Sequence, residues 1–162
     1  MAKDQAIAGV ALGKALHGTG AHFDTRRLFS GLDWRRAGVR PAGAPHSVYE
    51  MLNHMRYWQE WVVKWLDGRT PPVPKHASGS WPGRVGPASR AEWNEAVRRF
   101  RETLDGLEAG ARGADLTART RRRSRLEMLH LIASHNSYHA GQVVLLRQLV
   151  GAWPPPGGGL TW

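Results

Sequence analysis

The sequence contains no cysteine among its 162 residues. That absence excludes a disulfide framework, a thiolate metal site and a cysteine nucleophile, and it is compatible with a reducing compartment. No stretch approaches the roughly 18 consecutive apolar residues of a transmembrane helix. The N-terminus carries only Lys3 before a short apolar patch, which does not make a signal peptide. We therefore expect a cytoplasmic protein that makes no contact with a membrane.

Acidic residues are few, with 13 Asp and Glu against 23 Lys and Arg, and the net charge is +10. The excess is concentrated in residues 111–125, where six arginines stand against Asp115 alone. The simpler interpretation of this segment is a solvated loop, because charge by itself indicates solubility and non-specific binding. The alternative is a surface for phosphate or nucleic acid. No aromatic residue is interleaved in residues 119–125, which argues against a single-strand binder.

Strand patterns and internal repeats are also lacking. Hydrophobic residues make up 41% of the chain and include eight tryptophans, enough for one core. We expect a single domain over residues 1–162. Its first helix is predicted over residues 5–17, where Gly9 and Gly13 would let a neighbouring helix approach closely. A short helix is also possible over residues 24–32, with Asp24 as its N-cap.

Three Ser-x-x-Glu patterns predict the starts of three longer helices, because the serine hydroxyl and the glutamate each cap backbone amides. They begin at Ser47, Ser89 and Ser124, and each is followed by apolar residues at helical spacing. Gly68, the pair Gly106 and Gly110, and Gly151 are expected to end these helices. The predicted fold is all-α: a four-helix bundle with a long Pro- and Gly-rich loop, residues 69–88, between the second and third main helices.

Two histidines lie on the apolar stripe of the last helix. His135 and His139 are four residues apart, so both imidazoles face the same way. His54 lies within the wide apolar face of the second main helix. Facing helices of a bundle can bring such side chains to one site, and three imidazoles would leave positions on a metal open for water or substrate.

Each histidine alone fits the simpler interpretation of a hydrogen-bonded core residue. From residue spacing alone, a metal site and this alternative are about evenly balanced. His130 falls about 140° from His135 around the helix and is not expected to join it. We expect His46 to lie at the rim of a pocket and not to bind the metal directly. Tyr138 faces away from His139, and Gln142, three residues further on, is a candidate partner behind that histidine.

Two segments together resemble the DinB-like family, a metal-binding four-helix-bundle superfamily that includes bacterial thiol transferases. They are PHSVYEMLNHMRYW, residues 45–58, and HNSYHAGQVVLLRQLVGAWP, residues 135–154. The family pattern has one histidine in the second helix and an HxxxH motif followed by a small residue, Gly and Gln in the last helix. His54, His135, His139 and the run from Ala140 to Gln142 match it.

The resemblance implies a divalent metal ion, commonly nickel or zinc, held by His54, His135 and His139. It also implies a homodimer, which an exposed Trp-rich face on the second helix would suit. Characterised relatives transfer low-molecular-weight thiols such as bacillithiol or mycothiol, or carry out metal-assisted isomerisation or hydrolysis. We therefore expect a metal-dependent transferase or hydrolase acting on a small molecule. The sequence leaves the metal, the thiol, the substrate and the catalytic residues open.

The alternative function is a non-enzymatic, stress-related binding protein. In that interpretation the arginines of residues 119–125 would contact an anionic partner such as nucleic acid. We do not expect nucleic acid to be the partner, but the role of these arginines is not decided by the sequence.

Overall fold

The computed structural model describes residues 2–113 and 115–159. Its helices are α1 (Ala2–His17), α2 (Trp34–Ala37), α3 (Val48–Leu66), α4 (Arg90–Gly113) and α5 (Arg125–Leu149). Two 3₁₀ turns, Thr25–Arg27 and Ala77–Ser80, and two short strands, β1 (Arg119–Thr120) and β2 (Arg123–Ser124), complete the regular structure. The four long helices confirm the predicted all-α class.

The four long helices form a bundle in which α3 packs against α4 and α5, and α1 packs against the same two helices. Each helix therefore has two main neighbours, and α3 and α5 lie side by side. One core cluster surrounds Leu52, Met55 and Phe100, and a second surrounds Leu104, Leu107 and Leu129. This arrangement brings the apolar face of α3, which carries His54, against the face of α5 that carries the other two histidines.

The predicted capping patterns are present, with one difference. At Ser47 and Ser124 the serine hydroxyl accepts a hydrogen bond from the backbone amide of the glutamate three residues later. The side chain of that glutamate in turn accepts a hydrogen bond from the backbone amide of the serine. At Ser89 only the first bond forms: the Glu92 carboxylate accepts instead from the Ala88 amide, at 2.7 Å. Gly151 follows α5 with φ of 66°, the left-handed conformation that glycine adopts at little cost.

Helix α4 does not end at Gly106 or Gly110 as the sequence predicts, but continues to Gly113. Both glycines lie against α3. A Cβ at Gly110 would come within 3.0 Å of Leu66, and one at Gly106 would meet Val63 at 3.5 Å. Gly9 of α1 likewise lies close to α4, since a Cβ on Gly9 would lie 2.5 Å from the carbonyl oxygen of Ala111. These glycines permit close helix packing rather than marking helix ends.

The arginine-rich segment contains a small antiparallel hairpin that the sequence does not predict. Arg119 pairs with Ser124, and Thr120 with Arg123. Arg121 in the turn has φ of 57°. Strands of two residues are too short to produce a readable alternation of apolar and polar side chains. The expected short helix over residues 24–32 is likewise reduced to the 3₁₀ turn Thr25–Arg27, which Asp24 caps.

Between α3 and α4 the chain runs through the expected long loop, which contains the 3₁₀ turn Ala77–Ser80. This turn packs against α3. None of the described helices is long and apolar enough to cross a membrane.

Candidate metal centre

The three predicted histidines meet between α3 and α5. Each offers one ring nitrogen to a group whose atoms all lie within 4.8 Å of one another. Nε2 of His135 is 3.3 Å from Nε2 of His54. The ring centroids of His135 and His139 are 4.4 Å apart, as expected for one helical turn. Helix geometry thus supplies the pair, and the packing of α3 on α5 supplies the third ring.

The protonated nitrogen of His54 is assigned by its hydrogen bonds. The Ser80 hydroxyl lies 2.9 Å from the carbonyl oxygen of Ala77, to which it donates, and 3.0 Å from Nδ1 of His54. Because the hydroxyl proton is already used, Ser80 accepts a proton from Nδ1 of His54. The lone pair of His54 is therefore on Nε2, the atom that faces His135.

His139 has the same arrangement on the other helix. Its Nδ1 lies 2.6 Å from Oε1 of Gln142, a pure acceptor, so Nδ1 carries the proton and Nε2 is free. Gln142 thus contacts His139 as the sequence suggests. A metal-ligating histidine commonly donates its second ring N–H to such an acceptor, which fixes both the tautomer and the ring orientation.

Burial keeps all three imidazoles neutral. Burial, together with repulsion from the nearby His139, lowers the pKa of His54 to about 4. Burial likewise lowers the pKa of His135 to about 3, with added repulsion from His139 and His54. The pKa of His139 is also lowered by burial, although the bond to Gln142 opposes the shift. Neutral imidazole is the form that binds divalent metals.

The donor set fits a metal ion. Two nitrogens bound to one zinc ion at about 2.0–2.1 Å, at angles between octahedral and tetrahedral, lie about 2.8–3.4 Å apart. The 3.3 Å between His135 and His54 falls in this range. Nδ1 of His135 is buried and has no hydrogen-bond partner, so this ring, unlike the other two, has no acceptor that fixes its tautomer. The group contains three histidines and no carboxylate.

One side of the site is covered by Trp81, which comes from the long loop. Its indole stacks on His54 at a centroid distance of 4.0 Å and on His46 at 3.6 Å. His46 therefore lies at the rim, as expected, and is not one of the three clustered nitrogens. Neither Ser80 nor Trp81 was among the site residues predicted from the sequence. The available signal was Trp81 itself, the one large aromatic residue in a Pro- and Gly-rich loop.

The other side of the site opens into a cleft between α3 and α5, because His135 and the adjacent Trp58 are among the cleft's lining residues. Of the remaining candidates, His130 is exposed and stays outside the site, as expected. Tyr138 is 67% exposed on α5, but it does not face away from His139 as predicted. Its ring lies edge-on to the His139 ring, with centroids 5.0 Å apart, because neighbouring side chains on a helix can bend towards each other.

The comparison with known protein families is consistent with this geometry. A model of the DinB superfamily matches residues 20–143, a segment that includes all three histidines. The chain belongs to the DinB superfamily. Searches of curated proteins and of solved structures gave no significant match. The family and the three-histidine cluster together fit a metal-binding member of this superfamily.

Proposed function

We propose that this chain is a metal-dependent enzyme in which His54, His135 and His139 hold one divalent metal ion. The observation that carries the proposal is the pair of fixed tautomers. Ser80 and Gln142 engage Nδ1 of His54 and His139, which leaves the Nε2 lone pairs for a ligand. Three imidazoles suit nickel and zinc, which we expect before other metals.

Three neutral ligands leave the full double charge of such a metal, which lowers the pKa of a bound water or thiol and favours its anion. The residues of the chain supply the other requirements. His54 and His139 are held in orientation by their acceptors, and Trp81 excludes water from one side of the site. The side at His135 remains accessible to a substrate.

Within this class we favour thiol transfer over hydrolysis. The chain has no cysteine, so a sulfur nucleophile must be an external low-molecular-weight thiol. In the proposed reaction a carbon–sulfur bond forms while the bond between that carbon and its leaving group breaks. The leaving group departs with the bonding electron pair, and the thiol proton passes to solvent, because the three-histidine cluster contains no carboxylate.

Elemental analysis of the purified, metal-replete protein tests the metal site. We expect one metal ion per chain, and loss of that metal in His54→Ala and His139→Ala. His130→Ala is the matched control, since it removes an exposed imidazole from the same helix as His139. Equal metal content in the wild type and in the two site variants would overturn the proposal and leave the histidines as core residues.

A second assay separates thiol transfer from hydrolysis. The metal-loaded protein is incubated with an aryl halide, with and without a low-molecular-weight thiol, and products are identified by mass spectrometry. Thiol transfer predicts a thioether that forms only with thiol present and is lost in His139→Ala. A hydroxylated product formed without thiol would instead support hydrolysis.

The alternative of a nucleic-acid-binding protein has weaker support. The arginines of residues 119–124 belong to a hairpin that contributes to the wall of the cleft, rather than to an extended basic tail. Strong binding of nucleic acid that falls steeply with salt and survives His135→Ala would favour this alternative.

We also propose that two copies of the chain pair through α5. Apolar side chains on one line of this helix are exposed outside the cleft: Tyr138, Leu145 and Leu149. The tryptophans of α3 do not provide such a surface, because Trp58 and Trp61 line the cleft and Trp65 is buried. Light scattering should give twice the chain mass, and a Leu145→Glu, Leu149→Glu variant should be monomeric. A monomeric wild type would contradict the pairing.

A further inference from the structure

The cleft that ends at His135 has a volume of about 1090 Å³, which is large for a small-molecule site. Its apolar walls come from α3 and α5, with Trp58, Trp61 and Trp65 facing Met128 and Ile132. The side chain of Trp61 is fixed, because its indole N–H donates to the carbonyl of Pro72 at 3.1 Å. The walls suit an apolar or aromatic molecule.

Arg121, Arg122 and Arg123 also line this cleft. All three are exposed, and over residues 2–113 and 115–159 no carboxylate lies within 4.0 Å of their guanidinium groups. Arg121 bonds only the neutral hydroxyl of Thr70, at 3.3 Å. Glu127 interacts electrostatically with Arg123, but its carboxylate accepts from the Ser124 amide at 2.5 Å and lies 3.9 Å from Arg119.

Some arginines elsewhere on the surface are paired with carboxylates. On α4, Arg98 forms ion pairs with Glu95 and Glu102, and Arg99 pairs with Glu95. The hairpin instead places three adjacent arginines, none with a carboxylate within 4.0 Å among the described residues, beside the cleft. Their charge at an apolar cleft favours an anionic group on whatever molecule enters.

The two ends of the cleft are well separated. Ser124, which ends the hairpin and caps α5, and His135 are eleven residues apart, or about 16 Å at the helical rise of 1.5 Å per residue. Indole rings lie between these ends, and the Trp58 ring is 6.5 Å from the His135 ring. A molecule that contacts both ends must be elongated, with an apolar middle.

We propose that the cleft binds an elongated amphipathic anion. Its carboxylate, phosphate or sulfonate would lie on Arg121, Arg122 and Arg123, its apolar body would pack on Trp58 and Trp61, and its far end would reach His135. This assigns a substrate class to the proposed enzyme and rests on that function only for the reacting end. Binding of the body and the anionic group requires no metal.

A matched pair of fluorescent probes tests this assignment on the full chain. 1-Anilinonaphthalene-8-sulfonate carries an anionic group, and N-phenyl-1-naphthylamine has the same rings without it. We expect the sulfonate to bind more tightly, and a triple variant Arg121→Gln, Arg122→Gln, Arg123→Gln to lose about tenfold in affinity for the sulfonate alone, equivalent to roughly one charge-assisted contact. The variant Trp61→Ala should weaken both probes.

The matched control is Arg98→Gln combined with Arg99→Gln, which removes exposed arginines from α4. Equal affinity of the two probes for the wild type, or the same loss in this control as in the hairpin variant, would overturn the proposal. The hairpin side chains are exposed, so their replacement should leave the thermal unfolding midpoint unchanged. If Trp61→Ala fails to fold, Trp58→Phe and Trp61→Phe replace it.

Displacement of the sulfonate probe by other molecules shows which class of molecule the cleft binds. A metal-site variant shows whether that binding depends on the metal. Decanoate should displace the sulfonate probe at lower concentration than decanol does. Displacement by a single-stranded oligonucleotide but not by decanoate would overturn a small-molecule site. The variant His54→Ala should retain probe affinity. If the wild type binds the sulfonate probe but no metal, the proposed anion-binding cleft is upheld and the proposed enzyme function is wrong.

Discussion

The indole of Trp81 lies flat on the imidazole of His54, with ring centroids 4.0 Å apart and planes inclined by 10°. The contact joins the long loop between α3 and α4 to the helix that carries the third histidine. It is reinforced one residue earlier, where Ser80 accepts a hydrogen bond from the same imidazole. The loop thus both covers and orients the candidate metal centre.

Replacing Trp81 with alanine should weaken metal binding by about three- to tenfold, since stacked aromatic pairs contribute about 0.5–1.5 kcal/mol beyond their burial. Trp81→Phe should retain part of the effect. The measurement is zinc or nickel affinity by competition with a chromophoric chelator. Unchanged affinity in both variants would show that the indole covers the site without supporting His54.

Ser80→Ala removes the acceptor that holds the Nδ1 proton of His54. Loss of such a supporting acceptor typically costs about 10–100-fold in metal affinity, and we expect the lower end because water can replace the hydroxyl at the loop. Ser80→Thr should restore affinity. Ser78→Ala, an exposed serine of the same turn, is the matched control for the chelator titration.

Gln142→Leu should lower metal affinity in the same way, through loss of the bond to Nδ1 of His139. Gln142→Glu should keep or raise affinity, because a carboxylate is a stronger acceptor for the ring N–H. Comparing both variants by competition titration separates an electrostatic effect from simple packing. If the leucine and glutamate variants behave alike, the hydrogen bond is not what supports His139.

The capping box at the start of α3 should make stability depend on pH. Burial raises the pKa of Glu50, but the Ser47 amide and Arg40 outweigh this, and the net pKa lies below the usual 4.5. The folded state therefore favours the carboxylate. Its contribution is fully present above about pH 4.5 and is lost as the pH falls through the lower folded-state value.

Accordingly, Glu50→Gln should lower the free energy of unfolding by about 1 kcal/mol at neutral pH, as for loss of a helix cap. The difference from wild type should shrink at acidic pH. Urea unfolding at several pH values measures it, with exposed Glu102→Gln as control. A difference between wild type and Glu50→Gln that is constant with pH would contradict the assigned charge state.

Arg147 is the largest of the fully buried side chains among the described residues. It donates to the carbonyl oxygens of Leu28, Ser30 and Ala152, and so ties α5 to two irregular segments. Arg147→Met should reduce the free energy of unfolding by about 3 kcal/mol, because three buried carbonyls lose their donor. Thermal or urea unfolding checks this. Metal content per folded chain should not change, since Arg147 lies two turns beyond His139 on α5.

Local chemistry in the sequence determined the long helices. The serine and glutamate pairs at residues 47 and 124 and the apolar spacing after them specify helix starts through contacts within four residues. The same locality places His135 and His139 on one face, since a helical turn is 3.6 residues. Inclusion of His54 in the site was a hypothesis, because it depends on which helices become neighbours.

Contacts between distant segments decided the remainder. Whether Gly106 and Gly110 end α4 or pack on α3 depends on how closely two helices approach. The roles of Ser80 and Trp81 depend on the path of a loop without periodic pattern, and the arginines of residues 121–123 acquire a position at the cleft only when the hairpin folds beside α3. The sequence by itself determined the helices and two of the three clustered histidines, because these follow from local geometry. The tertiary structure decided what surrounds them, because that follows from side chains far apart in the chain.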